Sequence, residues 1–429
     1  MKRIVLRKGQ GTKQGERNGN AIGSLDLARA DPRDLGELES RIALIQALIP
    51  LGLSAVQETL AEEVAALAGE RYGRHDGQAE LHRWGSQPGS VYLADQKVPI
   101  EVPRVRDTGH GREVQLRSYQ RLRQPRNLDE GLLKRIVHGL SCRSYRVCAE
   151  AVPEAFGLSP STISRRTIRA TERKLRELQE RCLKKYDLVA LFLDGKSFAS
   201  QQIVIALGVT IQGEKIILGF LQAGTENEKV CSDFLRQLEA RGLRTQDGLL
   251  CVIDGSKGLR KAIQVVLGDH ALVQRCQWHK RENVVRYLAK SKQTYFRRRL
   301  QAAYCQPTLE EAEKALGAIR KELTLLNQSA VASLDEGLKE TLTLHRLGLS
   351  QELTQSFSTT NCIESINAQL GQKTDKVDHW KNSNQLHRWV GTALLEIEPR
   401  LRKVRGYRYL PLLRTALKAS FSKAKEKAA

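Results

Sequence analysis

Two apolar segments that each end in an Asp-Gly pair place the strongest constraint on how this chain folds. Residues Leu188–Leu193 are uninterruptedly apolar and are followed by Asp194, and Leu249–Ile253 are likewise followed by Asp254. Continuous apolar runs of this length, bounded by turn residues, are typical of strands that are buried on both faces of a sheet. The sequence therefore predicts that each Asp lies where a buried strand ends.

The elements around these two runs occur in an order that predicts the fold class. From residue 187 onward we predict three strands, a helix, a strand, a helix and a strand, over 188–193, 202–211, 215–221, 226–241, 249–253, 257–267 and 271–275. This order is typical of an α/β, ribonuclease-H-like domain, in which three strands form a meander and later strands are added through crossovers. In that fold the first and fourth strands are neighbours, so we expect Asp194 and Asp254 to face each other.

A third acidic residue completes a candidate metal site. Glu364 follows Thr359–Asn361, where we predict that a helix begins, and we expect this helix to pack its carboxylate against the two Asp residues. Carboxylates gathered in one place repel each other unless a cation lies between them. Oxygen ligands suit Mg²⁺, and two divalent ions about 4 Å apart can hold the attacking and leaving oxygens of a phosphodiester displacement.

Each acid taken alone has a simpler explanation. An Asp before Gly at the end of a strand most often forms a turn. Glu364 alone would fit a solvated helix residue, and Glu340 and Glu352 are alternative candidates for the third acid. Two Asp-Gly signals in the expected order of elements favour the metal site over these alternatives.

The composition restricts the partners of the chain. Lys and Arg total 70 against 48 Asp and Glu, which gives a formal net charge of +22, and such a balance attracts phosphate backbones or anionic membranes. No apolar run approaches the ~20 residues of a membrane span, and the N-terminus lacks the apolar core of a secretory signal. We therefore expect a cytoplasmic, nucleoid-associated protein without a membrane partner. The eight cysteines are scattered without a Cys-x-x-Cys pair, which indicates reduced thiols.

Residues 157–166 predict the turn and second helix of a helix-turn-helix. Gly157 can end one helix in the left-handed conformation, and Ser159 can cap the next helix, with Pro160 at its first position. The side chains that would then suit DNA groove and phosphate contacts include Ser161, Arg165 and Arg166. An ordinary helical hairpin with a basic, solvated face is the alternative, and Pro153 in the first helix counts against ideal geometry.

Composition and periodicity divide the chain into seven segments. They are a basic mobile arm (1–34), a helical unit with a short strand hairpin (35–125), the helix-turn-helix region (126–185), the first part of the α/β core (186–290), an α-helical insertion (291–355), the core helix with the third acid (356–380) and a basic helical tail (381–429). Within the hairpin, the alternating prolines and arginines of the second strand, residues 96–106, predict an edge strand that touches DNA.

Several motifs stand in an order that resembles one known family. They are Leu-Phe-Leu-Asp-Gly, Ile-Ala-Leu-Gly-Val, Gly-Thr-Glu-Asn, Val-Ile-Asp-Gly-Ser-Lys-Gly-Leu, Val-Gln-Arg-Cys-Gln-Trp-His-Lys-Arg-Glu-Asn and Thr-Thr-Asn-Cys-Ile-Glu-Ser. This series resembles the Mutator-type transposases of bacterial insertion sequences. The resemblance extends from about residue 50 over nearly the whole remaining chain.

The resemblance implies a DDE transposase that binds the terminal inverted repeats of an insertion sequence and performs strand cleavage and strand transfer. It implies that Asp194, Asp254 and Glu364 are the catalytic, metal-binding triad, with two Mg²⁺ ions and with Mn²⁺ as a substitute. The partners would be double-stranded DNA, at transposon ends and targets. Because two DNA ends must be held, we expect a homodimer or a larger assembly on DNA.

The family's Cys-x-x-His element corresponds to Cys276 and His279. One such pair supplies half a zinc site, and the sequence offers no convincing second half. We expect His279 to contact the scissile phosphate or a DNA strand and Cys276 to pack internally. Trp278 is a candidate wedge for a DNA base, although core packing is more common for Trp. Candidate phosphate contacts, which could equally face water, are Lys196, Lys257 and Arg275.

Two other functions are compatible with parts of the sequence. A ribonuclease-H-like nuclease would hydrolyse DNA without joining it, and a repressor derived from a transposase would bind DNA with a relic catalytic domain. The basic arm, the helix-turn-helix and the insertion favour handling of long DNA, and the three intact acids speak against a relic.

The charge balance generates a first prediction. Binding to DNA from the ends of the element should weaken steeply with salt, because contacts to phosphates release counterions. About six to ten phosphate contacts would lower the affinity roughly 10³–10⁵-fold between 50 and 200 mM salt. Fluorescence anisotropy with labelled end DNA over a salt series measures this slope, and salt-insensitive binding would count against the predicted role of the basic residues.

Overall fold

The structure is a computed structural model, and it describes residues 38–73, 80–93, 96–124, 128–143, 158–198, 201–224, 227–375, 377 and 379–428. The predicted basic arm, 1–34, lies outside the described residues. The chain divides into two compact units, one made of residues 1–89 and 100–121 and the other of 90–99 and 122–429. Within the described residues, no helix is long and apolar enough to cross a membrane.

The N-terminal region contains a long helix and a small sheet. Helix α1 (Leu38–Ala68) is followed by β1 (Leu81–Leu93), β2 (Gln96–Asp107), β3 (Arg112–Val114) and α2 (Arg117–Leu122). The strands are ordered β1-β2-β3. The Glu63 carboxylate of α1 accepts hydrogen bonds from the N–H groups of Arg117 and Ser118. A carboxylate at this position stabilises the N-terminus of α2, whose first N–H groups lack helical partners.

The prediction that the second strand of the hairpin is an edge strand is wrong, because β2 is the middle strand of three. β3 pairs with the last residues of β2, in register Val105 with Val114 and Asp107 with Arg112. Pro99 and Pro103 precede this paired segment, as expected for residues without an N–H to donate. On β2, the guanidinium of Arg106 lies 4.7 Å from the ring centroid of Trp84.

The second unit begins with helical elements. Helix α3 (Leu128–Val137) is followed by α4 (Pro160–Gln179), which begins as the sequence predicts. Ser159 caps it by accepting a hydrogen bond from the Thr162 N–H at 3.3 Å, and Pro160 is its first residue. The preceding turn, with Gly157, lies outside the described residues. The helix-turn-helix as a DNA-binding motif therefore stays a prediction.

A five-stranded sheet forms the centre of the second unit. Its strands are β4 (Leu188–Phe198), β5 (Gln201–Thr210), β6 (Lys215–Ala223), β7 (Leu249–Ile253) and β8 (Ala271–Arg275). They are ordered β6-β5-β4-β7-β8. The first three are antiparallel neighbours, whereas β7 pairs parallel with both β4 and β8. The expected α/β class, and the expected adjacency of the first and fourth strands, are thus confirmed.

Two helices make the crossovers to the parallel strands and cover one face of the sheet. They are α5 (Glu228–Ala240) and α6 (Lys257–Val266). Leu191 and Leu193 of β4 and Ile253 of β7 pack in one core with apolar residues of these helices, such as Leu235 and Ile263. Because successive side chains of a strand alternate between faces, the intervening residues point to the opposite face.

Helices from the C-terminal part of the chain cover that opposite face. They are α14 (Asn361–Thr374), α15 (Ser383–Ile397) and α16 (Leu410–Ala428). Phe192 and Val252 of the sheet share a second core with Ile363, Ile366 and Leu370 of α14. The acids Asp194 and Asp254 continue the alternation of Phe192 and Val252. They therefore lie on the face that α14 covers.

Seven helices connect β8 with α14. They are α7 (Gln277–Val285), α8 (Lys290–Tyr304), α9 (Leu309–Thr324), α10 (Gln328–Asp335), α11 (Leu338–Thr341), α12 (Thr343–Arg346) and α13 (Ser350–Phe357). Residues of α7 to α10, among them Val284, Phe296, Leu316 and Leu334, form an apolar core of their own.

Because the central sheet is buried on both faces, truncating one of its core side chains should lower the stability of the protein. Leu191 is fully buried in β4, so Leu191→Ala should lower the free energy of unfolding by about 2–5 kcal/mol through lost apolar contacts and a cavity. Leu412→Ala is the matched control, since Leu412 is 54% exposed on α16 and should change stability by less than about 0.5 kcal/mol. Guanidinium unfolding followed by circular dichroism measures both, and equal midpoints would contradict the predicted core position.

Candidate active site

The parallel pairing of β4 with β7 places the two Asp residues. Leu193 is in register with Ile253, and this is the last residue pair of the two strands. Asp194 and Asp254 are the next residues along the chain, so they lie side by side in sequence register. Asp194 is 6% exposed and Asp254 is half-buried. Both continue the alternation that points toward α14, and the carboxylates are therefore on one face.

The prediction that both Asp residues follow the end of a strand holds for one of them. β7 ends at Ile253, so Asp254 follows it directly. β4 instead continues to Phe198, and Asp194 is paired with Ile205 of β5. The apolar run ends where the pairing of β4 with β7 ends, at Leu193. Beyond that residue β4 is paired with β5. Asp194 therefore lies on a paired strand and is held more firmly than a turn residue.

A tight turn presents Asp254. The N–H of Ser256 donates to Oδ1 of Asp254 at 2.9 Å, and the Ser256 hydroxyl in turn accepts from the Leu259 N–H at the start of α6. Gly255 between them has a φ of 120°, a conformation that favours glycine. The turn is thus anchored on both sides of Gly255, and the conformation of this glycine sets the direction of the Asp254 carboxylate.

Helix α14 carries Glu364 and packs on β4. Its apolar stripe enters the same core as Phe192, and Glu364, half-buried, lies in its first turn. The hydroxyl of Thr360, which is fully buried, donates a hydrogen bond to Oε1 of Glu364 at 3.0 Å. Thr360 was not recognised in the sequence; a Thr four residues before an acid at the start of a helix is the signal that could have found it.

His279 lies beside the acids. The Cys276 N–H donates to the Ile253 carbonyl at 2.7 Å, which fixes the start of α7 next to the Asp254 turn. The Thr360 hydroxyl oxygen lies 3.4 Å from Nδ1 of His279 and 3.6 Å from Sγ of Cys276. One buried hydroxyl therefore contacts the histidine, the cysteine and the third acid.

The charges around His279 alter two pKa values. The pKa of His279 is raised to about 9 by its hydrogen bond with Cys276 and by the negative charges of Cys276, Asp194 and Glu364, which outweigh its partial burial. Burial alone would raise the pKa of the Cys276 thiol, but the hydrogen bond and charge of His279 lower it overall. The imidazolium form is thus favoured, and the field of Asp194 and Glu364 reaches the same ring.

The alternative candidates for the third acid lie on other helices than Glu364. Glu340, on α11, is hydrogen-bonded to Arg260, and Glu352 lies on α13. Neither is among the charges that act most strongly on His279, whereas Glu364 is. Of the three glutamates, Glu364 is thus the one whose charge acts on His279, and its hydrogen bond with Thr360 joins it to the same group of residues.

The ligand atoms of the three acids do not all lie within 4.8 Å of one another. In the part of the chain that the structure describes, the group of His, Cys, Asp and Glu that meets this distance is Glu80, Asp107 and His110. Asp107 accepts hydrogen bonds there from the N–H of His110 at 3.0 Å and lies 3.4 Å from Nε of Arg112. That group joins the residue before β1 to the turn between β2 and β3, and the cation of Arg112 already lies beside the Asp107 carboxylate.

The other predicted site residues are spread over several surroundings. Lys196 is exposed, with Nζ 5.4 Å from the ring centroid of Phe198. The Lys257 side chain is 89% exposed, and its Nζ lies 3.7 Å from a carboxylate oxygen of Glu336. Arg275, in contrast, is buried and donates to main-chain carbonyls. Contacts of Lys196 and Lys257 with DNA stay predictions, whereas the burial of Arg275 counts against a phosphate contact.

The predicted DNA-facing residues of α4 divide by exposure. Ser161 and Arg165 are exposed. Arg166 is 8% exposed, and its guanidinium lies 5.9 Å from the ring centroid of Tyr92. Trp278 is not packed in the core, which is the alternative to a DNA contact. It is 43% exposed and contacts His279 edge-on, with 4.8 Å between the ring centroids.

Comparison with known proteins places the chain in a family. Residues 36–402 match the family model described as "Transposase, Mutator family". The chain is 28% identical over 349 residues to the transposase for insertion sequence element IS905 of Lactococcus lactis subsp. lactis, covering 79% of this chain and 86% of that protein. It is 28% identical over 360 residues to the transposase for ISRM5 of Rhizobium meliloti, covering 81% and 88%. It is 27% identical over 375 residues to the transposase for IS406 of Burkholderia multivorans, covering 83% and 94%. With most of its length matched by the family model, this chain belongs to the Mutator family of insertion-sequence transposases.

Proposed function

We propose that this transposase cleaves and joins DNA through a DDE triad of Asp194, Asp254 and Glu364 on a ribonuclease-H-like core. One observation carries the proposal. The two Asp residues directly follow the last paired residues of two neighbouring parallel strands, on the face of the sheet against which the Glu364 helix packs. Three acids on three different elements thus belong to the same side of the sheet, which supports their joint role.

The donor set suits divalent cations. Carboxylate oxygens are the ligands that Mg²⁺ prefers, and the proposed set consists of three carboxylates, of which that of Asp194 is nearly buried. Asp194, Asp254 and Glu364 would hold two Mg²⁺ ions, with Mn²⁺ as a substitute. When bound, the ions would stabilise the charge on the attacking and leaving oxygens of a phosphodiester.

The chain's own residues would orient these acids and the DNA. The Thr360 hydroxyl holds one oxygen of Glu364, which directs the other oxygen toward the site. The Ser256 N–H does the same for Asp254. His279, next to Thr360 and within the field of Asp194 and Glu364, is placed to donate a hydrogen bond to an oxygen of the scissile phosphate.

The surface of the chain supports binding to the ends of an insertion sequence. The first turns of α4 expose Ser161 and Arg165, and side chains of this kind contact DNA grooves and phosphates. The formal charge of +22 adds a general attraction to DNA. We propose that α4 contributes to recognition of the terminal inverted repeats, and that two or more copies assemble on DNA to hold both ends.

The triad generates the central prediction. Asp194→Asn and Glu364→Gln should each reduce Mg²⁺-dependent cleavage of end DNA by more than about 100-fold, since even outer partners of metal ligands are worth about 10–100-fold. Binding to the same DNA should be largely unchanged, because neither substitution removes a phosphate contact. Gel assays of nicked and joined products, with anisotropy for binding, measure both effects.

Glu352→Gln is the matched control, because Glu352 lies on α13 and is not part of the proposed triad. This variant should cleave DNA like the parent protein. Nicks without joined products in the parent would favour a hydrolytic nuclease, and binding without nicks would favour a repressor. Undiminished cleavage by Glu364→Gln would remove Glu364 from the triad.

The buried hydroxyl of Thr360 generates a separate prediction. Thr360→Val keeps the shape of the side chain but removes the donor to Glu364, so cleavage should fall by about 10–100-fold with unchanged DNA affinity. Thr359→Val is the control, since its hydroxyl accepts from the Asn361 N–H and does not contact Glu364 in the described hydrogen bonds. Single-turnover rates distinguish the two, and equal rates would show that the Thr360 hydroxyl does not orient Glu364.

A further inference from the structure

Arg275 lies directly behind the second acid of the triad. It is the last residue of β8 and is in register with Ile253, the residue before Asp254. Its side chain is 7% exposed, so the guanidinium is enclosed by protein. A phosphate contact would require an exposed guanidinium, and the structure therefore gives Arg275 another use.

The guanidinium joins two separate segments of the chain. Nη2 donates to the carbonyl of Gly255 at 3.3 Å, in the turn that presents Asp254. Nη1 donates to the carbonyl of Glu336 at 2.9 Å, at the C-terminal cap of α10, and Nη2 lies 3.4 Å from the Glu336 carboxylate. Because the guanidinium is planar and rigid, it fixes the distance between the Asp254 turn and the end of α10.

Two glycines allow the chain to approach the guanidinium this closely. A Cβ at Gly255 would lie 2.4 Å from Nε of Arg275, and a Cβ at Gly337 would lie 2.5 Å from Nη1. Both glycines have positive φ, 120° and 66°. A side chain at either position would displace the guanidinium, so the contact depends on three residues that are distant in sequence.

The Nε atom of Arg275 is buried and has no hydrogen-bond partner among the residues that the structure describes. A polar atom in that condition is unfavourable, and an apolar side chain would avoid the cost. The hydrogen bonds of the guanidinium to the carbonyls of Gly255 and Glu336 therefore explain why this buried position holds an arginine and not an apolar residue.

A second cation holds the far end of this connection. Nζ of Lys280, which is fully buried on α7, donates to the carbonyls of Ser333, at 2.6 Å, and Glu336. Cations at the end of a helix are favoured by the partial negative charge of its carbonyls. The end of α10 is thus fixed to α7, and Arg275 links this fixed point to the Asp254 turn.

We propose that Arg275 is a positioning residue that holds the Asp254 turn against the end of α10, so that the helices after β8 set the placement of the second acid. The inference rests on the proposed function, in which Asp254 binds metal. Arg275 itself touches neither DNA nor metal in this role.

Arg275→Lys tests the proposal, because lysine keeps the charge but lacks the planar fork that reaches both carbonyls. We expect cleavage of end DNA to slow by about 10–100-fold and the affinity for Mn²⁺ to fall by a similar factor. The DNA dissociation constant should be unchanged. Mn²⁺ binding to the purified full chain, measured by electron paramagnetic resonance of free Mn²⁺, gives a readout independent of cleavage.

Arg320→Lys is the matched control. Arg320, on α9, donates two hydrogen bonds of 2.8 Å to the carboxylate of Asp335, the last residue of α10, and thus also links an arginine to this helix end. It does not contact the Asp254 turn in the described hydrogen bonds, so cleavage and Mn²⁺ affinity should equal those of the parent. If both variants lost cleavage and Mn²⁺ affinity equally, Arg275 would contribute only to the stability of the fold, and the proposal would be overturned.

A glycine pair tests the same contact without changing the arginine. Gly337→Ala should displace the guanidinium and reproduce the effect of Arg275→Lys. Gly348→Ala introduces the same backbone strain, since its φ is 65°, but a Cβ there meets open space, and the site should be unaffected. Identical behaviour of the two glycine variants would contradict the proposal.

The failure of this inference can be told from failure of the proposed function. If Asp254→Asn retained cleavage and Mn²⁺ binding, the triad itself would be wrong. If Asp254→Asn lost both while Arg275→Lys kept both, the positioning role alone would be overturned. A loss of DNA affinity in Arg275→Lys, with Mn²⁺ affinity kept, would make Arg275 a DNA contact and would equally overturn it.

Discussion

The parallel pairing of β4 with β7 is the constraint on which the rest of the site depends. Four residues of each strand are in register, from Ala190 with Leu250 to Leu193 with Ile253. Because side chains alternate between the two faces, a slip of one residue would turn one acid toward α5 and α6 and leave the other facing α14. Such a slip would also exchange the apolar side chains that fill the two cores, and the close packing of both cores disfavours it.

The helix with the third acid depends on the same sheet. Ile363, Ile366 and Leu370 attach α14 to the core that contains Phe192 and Val252. Glu364 lies at the edge of this apolar stripe, where its carboxylate is half-buried. The position of the third acid is therefore set by packing, and the Thr360 hydroxyl then sets its orientation. Apolar contacts thus position Glu364, and one hydrogen bond orients its carboxylate.

The net charge of the chain overstates how many cations are available to DNA. Arg181 forms a largely buried ion pair of 2.7 Å with Glu398, and Arg241 donates to the carbonyl of Leu178 at 2.8 Å. Arg414 donates to the carbonyl of Gly248 at 3.0 Å, and Arg275 joins the Asp254 turn to α10. Arginines of this kind satisfy carbonyls at the ends of strands and helices. A basic composition thus serves the architecture of the fold as well as attraction to phosphate.

The sequence by itself determined the features that are encoded locally. The apolar runs predicted the buried strands and their order, and Ser159 with Pro160 predicted the start of α4, because burial and capping leave patterns within a few neighbouring residues. The tertiary structure alone decided that β4 continues past Asp194, that β2 is a middle strand, and that Thr360 reaches both Glu364 and His279. It also decided that Arg275 is enclosed, since its partner Glu336 lies 61 residues away. Such contacts leave no local pattern, because they form between segments that meet only when the sheet and the helices have packed.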